Sequence, residues 1–120
     1  RILLSTDNHL GYAETDPVRG NDSYCALEEV LVLAKHFCCD MVLLSGDLFH
    51  ENNPSRSTLH KTMQILKRYC CGDNAVRVQY SAANVHYPHT AIYLPFFSIH
   101  GNHDDPVRNG ADVPLAALGK

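Results

Sequence analysis

The sequence has little basic charge and no long apolar run. Its ten lysines and arginines are outnumbered by 13 acidic residues, and the formal net charge of the 120 residues is −3. The chain as a whole therefore lacks the basic footprint of a protein that binds nucleic acid through charge alone. No stretch resembles a signal peptide or is apolar for long enough to cross a bilayer, which argues against secretion and against a membrane partner.

Cysteine is present, but not in the arrangement of a disulfide framework or a zinc ribbon. The five cysteines are odd in number, include two adjacent pairs and contain no Cys-x-x-Cys motif. A disulfide framework needs an even number of separated cysteines, and a zinc ribbon needs Cys-x-x-Cys motifs. We therefore expect reduced thiols, buried where they fall in helices, in a protein of the cytosol or nucleus. The cysteines are Cys25, Cys38, Cys39, Cys70 and Cys71.

Three short apolar runs, at residues 2–6, 41–45 and 91–99, are separated by two stretches with helical periodicity. The order strand, helix, strand, helix, strand predicts an α/β fold with a parallel sheet, and continuous apolar runs predict buried strands. The first helix should begin at Asp22, and the second just after Pro54. Their apolar positions are Leu27, Val30, Leu31, Ala34 and Cys38 in the first, and Leu59, Met63, Leu66 and Cys70, flanked by Ile65 and Tyr69, in the second.

The ends of the sequence resemble internal positions of a longer chain. Arg1 leads directly into a strand, and residues 114–120 have the pattern of the first turns of a helix. We expect the sequence to be a segment of a larger protein, with only part of a domain in residues 1–120.

Each apolar run is followed by residues that bind metal ions: Asp-Asn-His at 7–9, Gly-Asp at 46–47 and Gly-Asn-His-Asp at 101–104. The carboxyl ends of parallel strands meet at one sheet edge, where ligands gather in α/β proteins. Any one of these clusters alone is better explained as a turn or cap, because Asp and Asn are common there. Three clusters at three strand ends favour a site instead.

The side chains of the clusters suit a two-metal phosphoesterase. Asp7 and His9 point the same way if the backbone is extended and can hold one ion. Asp47 has two oxygens that can bridge two ions, and Asn102 offers a carbonyl oxygen to the second. His103 can protonate a leaving oxygen or hold a phosphate. Such ligands suit Mn²⁺, Fe²⁺ or Mg²⁺, and paired ions hydrolyse phosphoesters.

These motifs, in this order, resemble the calcineurin-like metallophosphoesterases. Their flanking residues look like those of the eukaryotic Mre-eleven nucleases of double-strand-break repair and meiosis. The resemblance covers residues 1–73 and 95–112 and implies an αββα sandwich, of which the sequence holds the N-terminal part. The strings that carry it are Asp7-Asn8-His9-Leu10-Gly11-Tyr12, Asp16-Pro17-Val18-Arg19-Gly20-Asn21-Asp22-Ser23, Ser45-Gly46-Asp47-Leu48-Phe49-His50-Glu51-Asn52 and Ser98-Ile99-His100-Gly101-Asn102-His103-Asp104-Asp105-Pro106.

The resemblance implies a manganese-dependent DNA nuclease with 3′-to-5′ exonuclease and single-strand endonuclease activity. It implies that Asp7 and His9 hold the first Mn²⁺, that Asp47 bridges both ions and that Asn102 holds the second.

The same resemblance assigns the catalytic groups. His103 would be the catalytic histidine, Asp104 would orient it through a hydrogen bond, and His50 would position the DNA end. The family completes its site with a later single His and a His-x-His pair, which we expect beyond residue 120, together with a capping domain. His86 and His89 come too early in the motif order and are better explained as surface residues. The segment alone should bind metal weakly.

The resemblance also implies partners, namely DNA ends, a second copy of the protein, the SMC-like ATPase Rad-fifty and a nibrin-type adaptor, in the nucleus. The second helix would pair with its twofold copy through Leu59 with Met63 or Thr62, with a contribution from Leu115 and Leu118. The adaptor would bind residues 78–94, for which a freely varying mobile loop is the alternative. The apolar and aromatic residues of that segment are Tyr80, Val85, Tyr87, Ile92 and Tyr93.

Two other functions compete with the repair nuclease. One is a phosphatase or cyclic-nucleotide esterase of the same superfamily. The protein phosphatases, however, have Asp-Arg-Gly after Gly-Asp and end in Gly-Asn-His-Glu, where this chain has Leu-Phe-His-Glu at 48–51 and Asp104. The other is a non-catalytic docking and dimerisation fragment. The presence of the single His and His-x-His further along the protein would distinguish the nuclease from this fragment.

Overall fold

The computed structural model describes residues 1–74 and 92–104, and the α/β fold with a parallel sheet is confirmed. The strands β1, β2 and β3 lie side by side in the order β1-β2-β3 and run parallel. β3 is shorter than the apolar run that predicted it, because residues 92–95 lie outside the strand. The elements are β1 (Ile2–Ser5), α1 (Asp22–His36), β2 (Met41–Ser45), α2 (Arg56–Cys70) and β3 (Phe96–Ile99).

Only one face of the sheet is buried by the described residues. Val42 and Leu44 of β2 are almost fully buried and belong to the same core as the helix residues. The prediction that β1 is a buried strand is wrong for its other face, where Ile2 is 58% and Leu4 is 73% exposed. An apolar run specifies a strand but does not specify which faces are covered. The described part of the chain is therefore one helix layer on one sheet layer. The helix residues in the core are Tyr24, Leu27, Leu31, Ala34, Ile65 and Cys70.

The two helices begin at different signals. The Oγ of Ser55 accepts a 3.0 Å hydrogen bond from the N–H of Thr58 and so caps α2, directly after the proline of the predicted helix start. α1 begins after Asn21, which makes no side-chain cap. It ends at His36, earlier than its apolar pattern indicates, because Cys38 has a φ of 50° in the left-handed region.

The orientation of α2 differs from the one that its apolar pattern indicates. Thr58 and Thr62 are buried, and the hydroxyl of Thr62 donates a 2.8 Å hydrogen bond to the carbonyl oxygen of Thr58. Because Thr62 is buried here, Met63 is the better of the two alternatives offered for the dimer surface, which stays a prediction. Leu59 is half-buried against the core, whereas Met63 is 49% exposed.

The described cysteines are free thiols, but only one is fully buried. Burial raises the pKa of Cys70 to about 12, because a thiolate loses its hydration inside the core. Cys25 lies in α1 and is exposed, which corrects the expectation that helical cysteines are buried, and Cys38 is exposed just after that helix. Within residues 1–74 and 92–104, no helix is long and apolar enough to cross a membrane.

Candidate metal centre

The segments that follow β1 and β2 run side by side and bring the first two motifs together. The N–H groups of Asp7, His9 and Leu10 donate hydrogen bonds of 3.3, 3.0 and 2.8 Å to the carbonyl oxygens of Gly46, Asp47 and Leu48. These segments are held to the hydrophobic core by apolar residues that are almost fully buried in it. The anchors are Leu10, Leu48 and Phe49.

The polar residues of these segments have an unusual backbone. Asp7, His9 and Asp47 have φ values of 53°, 45° and 51°, in the left-handed region that residues other than glycine rarely adopt. Such strain is concentrated at functional sites, where the surrounding structure enforces it. The premise that Asp7 and His9 share a side through extended backbone is therefore wrong. Their side chains nevertheless meet, with Nε2 of His9 3.8 Å from Oδ1 of Asp7.

The first candidate ion site is formed by Asp7, His9 and Asp47. One ligand atom from each residue lies within 4.8 Å of the other two. Asp47 is buried, whereas the Asp7 side chain is 61% exposed, so the site opens to solvent on the Asp7 side. Two carboxylates and an imidazole form a donor set that fits Mn²⁺, Fe²⁺ or Mg²⁺. The residues present are thus suited to hold one divalent ion.

Glycines allow the third motif to approach the second. A Cβ added at Gly101 would lie 2.7 Å from the amide nitrogen of Asp47, and one at Gly46 would lie 3.0 Å from the Cα of Gly101. Real Cβ atoms do not approach as closely as the first of these distances. The contact lets the N–H of His103 donate a 2.9 Å hydrogen bond to Oδ1 of Asp47. The buried Asp47 therefore joins the second motif to the third.

Three histidines, one from each strand end, cluster beside the carboxylates. The ring of His103 lies 4.8 Å from that of His9 and is stacked at 5.2 Å on that of His50. His103 Nδ1 is 2.7 Å from the carbonyl oxygen of His50, which can only accept, so Nδ1 carries a proton. The Nδ1 atoms of His9 and His50 are buried without a hydrogen-bond partner among the described residues. Buried nitrogens in that state favour occupation by an ion or a water molecule.

Asp104 has a different contact from the one that the family resemblance implies. It is fully buried, and its two carboxylate oxygens accept hydrogen bonds from the N–H of Leu48, at 3.0 Å, and from the N–H of Gly101. In this structure the carbonyl oxygen of His50, and not the Asp104 carboxylate, accepts from His103 Nδ1, so the orienting role of Asp104 stays a prediction. Asp104 instead ties the loop of residues 101–104 to the end of β2. Asn102 is exposed on the same loop.

One aromatic residue at the site was assigned no role from the sequence. The ring of Tyr12 lies edge-on to that of His50, with 5.0 Å between centroids. An aromatic residue three positions after a ligand histidine is the only signal that could have indicated it.

The segment assigned to an adaptor is described only at its end. Ile92 pairs with Cys71 in an antiparallel bridge, and Tyr93 packs against the core with Lys35 Nζ 5.1 Å from its ring centroid. Both are half-buried against the end of α2. The remaining residues of the assignment lie outside the described residues, as do His86, His89, Leu115 and Leu118 among the other assignments. Those of the adaptor segment are Tyr80, Val85 and Tyr87.

Comparisons with known proteins show which family the chain resembles over nearly its whole length. A family model described as calcineurin-like phosphoesterase matches residues 1–118. The chain is 46% identical over 136 residues to the Homo sapiens protein called "Double-strand break repair protein MRE11". It is 45% identical over 132 residues to the Coprinopsis cinerea protein of the same name, and each match covers 98% of this chain. The one from Oryza sativa subsp. indica is 49% identical over 118 residues, or 88% of the chain. The chain spans only 17–18% of these relatives' length. The extent of the family match shows that the chain belongs to the calcineurin-like phosphoesterases.

Proposed function

We propose that the full-length protein is a divalent-metal-dependent nuclease that acts on DNA ends in double-strand-break repair. The observation that carries this proposal is the convergence of Asp7, His9 and Asp47 at one sheet edge, with His103 beside them. A phosphoesterase needs such a set of oxygen and imidazole ligands next to a residue that can handle a proton. The names of the relatives supply the biological setting.

Two manganese ions are the proposed cofactors. Asp7 and His9 would hold the first, Asp47 would contact both, and Asn102 would supply an oxygen to the second, whose shell needs further ligands. When bound, such ions supply Lewis acidity at the scissile phosphate. Asp47 is suited to a shared position because it is the buried residue at which all three motifs meet.

His103 is the proposed catalytic residue. Its Nδ1 proton is held by the carbonyl oxygen of His50, which fixes the ring and leaves Nε2 as the atom available to a phosphate. Nε2 of the imidazolium would donate a proton to the leaving oxygen. His50, stacked on this ring, would contact the DNA end. The proposed activities are 3′-to-5′ exonuclease and single-strand endonuclease.

The proposal extends to the assembly of the protein. A nuclear repair complex would contain a homodimer, the SMC-like ATPase Rad-fifty and a nibrin-type adaptor. Met63 supports the dimer because it is an exposed apolar residue on α2, with Leu59 beside it. The adaptor would bind residues 78–94, where Ile92 and Tyr93 fix one end of the segment to α2.

The test is nuclease activity of the full-length His103→Asn variant on end-labelled DNA with Mn²⁺. Loss of general acid catalysis should lower kcat by about a hundredfold or more while the fold is retained. His60→Asn is the matched control, because His60 is an exposed residue of α2. A His103→Asn enzyme as active as the control would refute the assigned role.

A further inference from the structure

The loop after the first motif carries Tyr12 and Arg19, which continue the cluster of three histidines towards the surface. The His103 ring is stacked on that of His50, and the Tyr12 ring lies edge-on to His50. The guanidinium carbon of Arg19 in turn lies 5.7 Å from the centroid of the Tyr12 ring. These four side chains form a continuous row, here called the aromatic row, from the proposed catalytic residue to the exposed Arg19.

The loop that carries the outer half of this row is well ordered by its own hydrogen bonds. Oδ1 of Asp16 accepts the N–H groups of Arg19, at 3.0 Å, and Val18, at 2.8 Å, and these bonds lower the pKa of Asp16. Gly20 is buried, and a Cβ there would lie 2.7 Å from the carbonyl oxygen of Asp16. The backbone on which Arg19 sits is therefore fixed relative to Tyr12.

The outer half of the row is also accessible. Tyr12 is 46% exposed beside the half-buried histidine rings, so part of its ring can be reached from solvent. Within residues 1–74 and 92–104, Arg19 forms an ion pair with Asp22, at 3.5 Å, in which both side chains are well exposed. Exposed ion pairs contribute little and are screened by salt, so the guanidinium remains able to bind an anion.

We propose that Tyr12 and Arg19 bind single-stranded DNA next to the scissile phosphate. A base stacks on the Tyr12 ring, and Arg19 holds a phosphate of the backbone. Sites for single strands combine aromatic rings with cationic groups in this way. Because the bases of a duplex are already stacked on one another, the tyrosine favours an unpaired strand. The inference rests on the proposed nuclease function and assigns to it two further residues that select the substrate.

The experiment compares full-length variants on a labelled single strand and on the same sequence as a blunt duplex. Tyr12→Leu should raise KM for the single strand by about fivefold to a hundredfold, the range that loss of base stacking produces, and should affect kcat much less. Tyr12→Phe should restore the wild-type KM, because it keeps the ring. The duplex KM should change less than the single-strand KM.

Arg19 is tested by the salt dependence of binding, measured by fluorescence anisotropy in EDTA so that no cleavage occurs. Arg19→Gln should reduce the slope of log affinity against log salt by about one phosphate contact, and Arg19→Lys should retain it. Arg68→Gln, which removes an exposed arginine in the last turn of α2, is the matched control.

The outcomes separate this inference from the proposed function. If wild type cleaves DNA but Tyr12→Leu and Arg19→Gln leave the single-strand KM and salt slope unchanged, the inference is overturned. A loss in Tyr12→Leu that Tyr12→Phe does not restore, or an equal loss on duplex, also overturns it, since the ring would then only support His50. Absence of cleavage by wild type would refute the proposed function alone, because the anisotropy measurement does not depend on cleavage.

Discussion

Replacing Asp104 with Asn should destabilise the protein, because the substitution removes one of two buried hydrogen bonds that the carboxylate accepts. Both carboxylate oxygens of this fully buried side chain accept backbone N–H groups, those of Leu48 and Gly101. The Asn amide has one carbonyl oxygen that accepts and one NH₂ group that donates. It therefore keeps one of the two hydrogen bonds and places its NH₂ against the other backbone N–H, which loses its acceptor. A hydrogen bond to a charged group contributes about 1.5–3 kcal/mol, and a buried donor left unpaired costs about 1–3 kcal/mol. The two figures describe the same lost bond and are not added, so we expect the free energy of unfolding to fall by about 1.5–3 kcal/mol.

Urea denaturation of the Asp104→Asn protein, followed by circular dichroism, measures this change. Asp73→Asn is the control, because Asp73 is exposed at the end of α2 and the same substitution there should have almost no effect. The result also distinguishes the two roles considered for Asp104. If it orients His103, as the family resemblance implies, kcat should fall without a loss of stability. Unfolding at the wild-type urea concentration would refute the anchoring role described above.

Three further changes test other parts of the structure. Thr58→Val removes the buried hydroxyl that lies 2.8 Å from the Tyr24 hydroxyl and should cost about 1–2 kcal/mol in urea unfolding. The thiol of Cys70, with its pKa raised to about 12, should resist Ellman's reagent at pH 8 while the exposed Cys38 reacts. Its raised pKa should cost stability between pH 9 and 12, where the unfolded thiol ionises and the folded one does not, as pH-dependent unfolding can show. Met63→Asp should convert a dimer to a monomer in light scattering without lowering its melting temperature, and a dimer that persists would exclude α2 from the interface.

The order of elements could be predicted because the local signals agree with one another. Apolar runs alternate with helical periodicity, and Pro54-Ser55 marks the beginning of α2 with a cap that the structure contains. The side of α2 that packs on the core could not be predicted in the same way. Thr62 and Met63 are adjacent in sequence, and a threonine can be buried at no great cost because its hydroxyl bonds to its own helix. Hydrophobicity alone groups Met63 with the other apolar positions and cannot tell which of them face the core, whereas the structure buries Thr62 and leaves Met63 49% exposed.

The location of the candidate site could be inferred from the order of residues alone. Polar clusters that follow parallel strands must meet at one sheet edge, so the convergence of residues 7–9, 46–47 and 101–104 followed from their positions. The contacts between individual atoms, in contrast, become known only from the folded chain. The partner of the His103 ring, the two amides on Asp104 and the position of Tyr12 depend on left-handed backbone turns and on glycine contacts between segments far apart in sequence. Residue type and spacing do not encode such contacts, because each depends on the packing of a neighbour that folds independently of the motif.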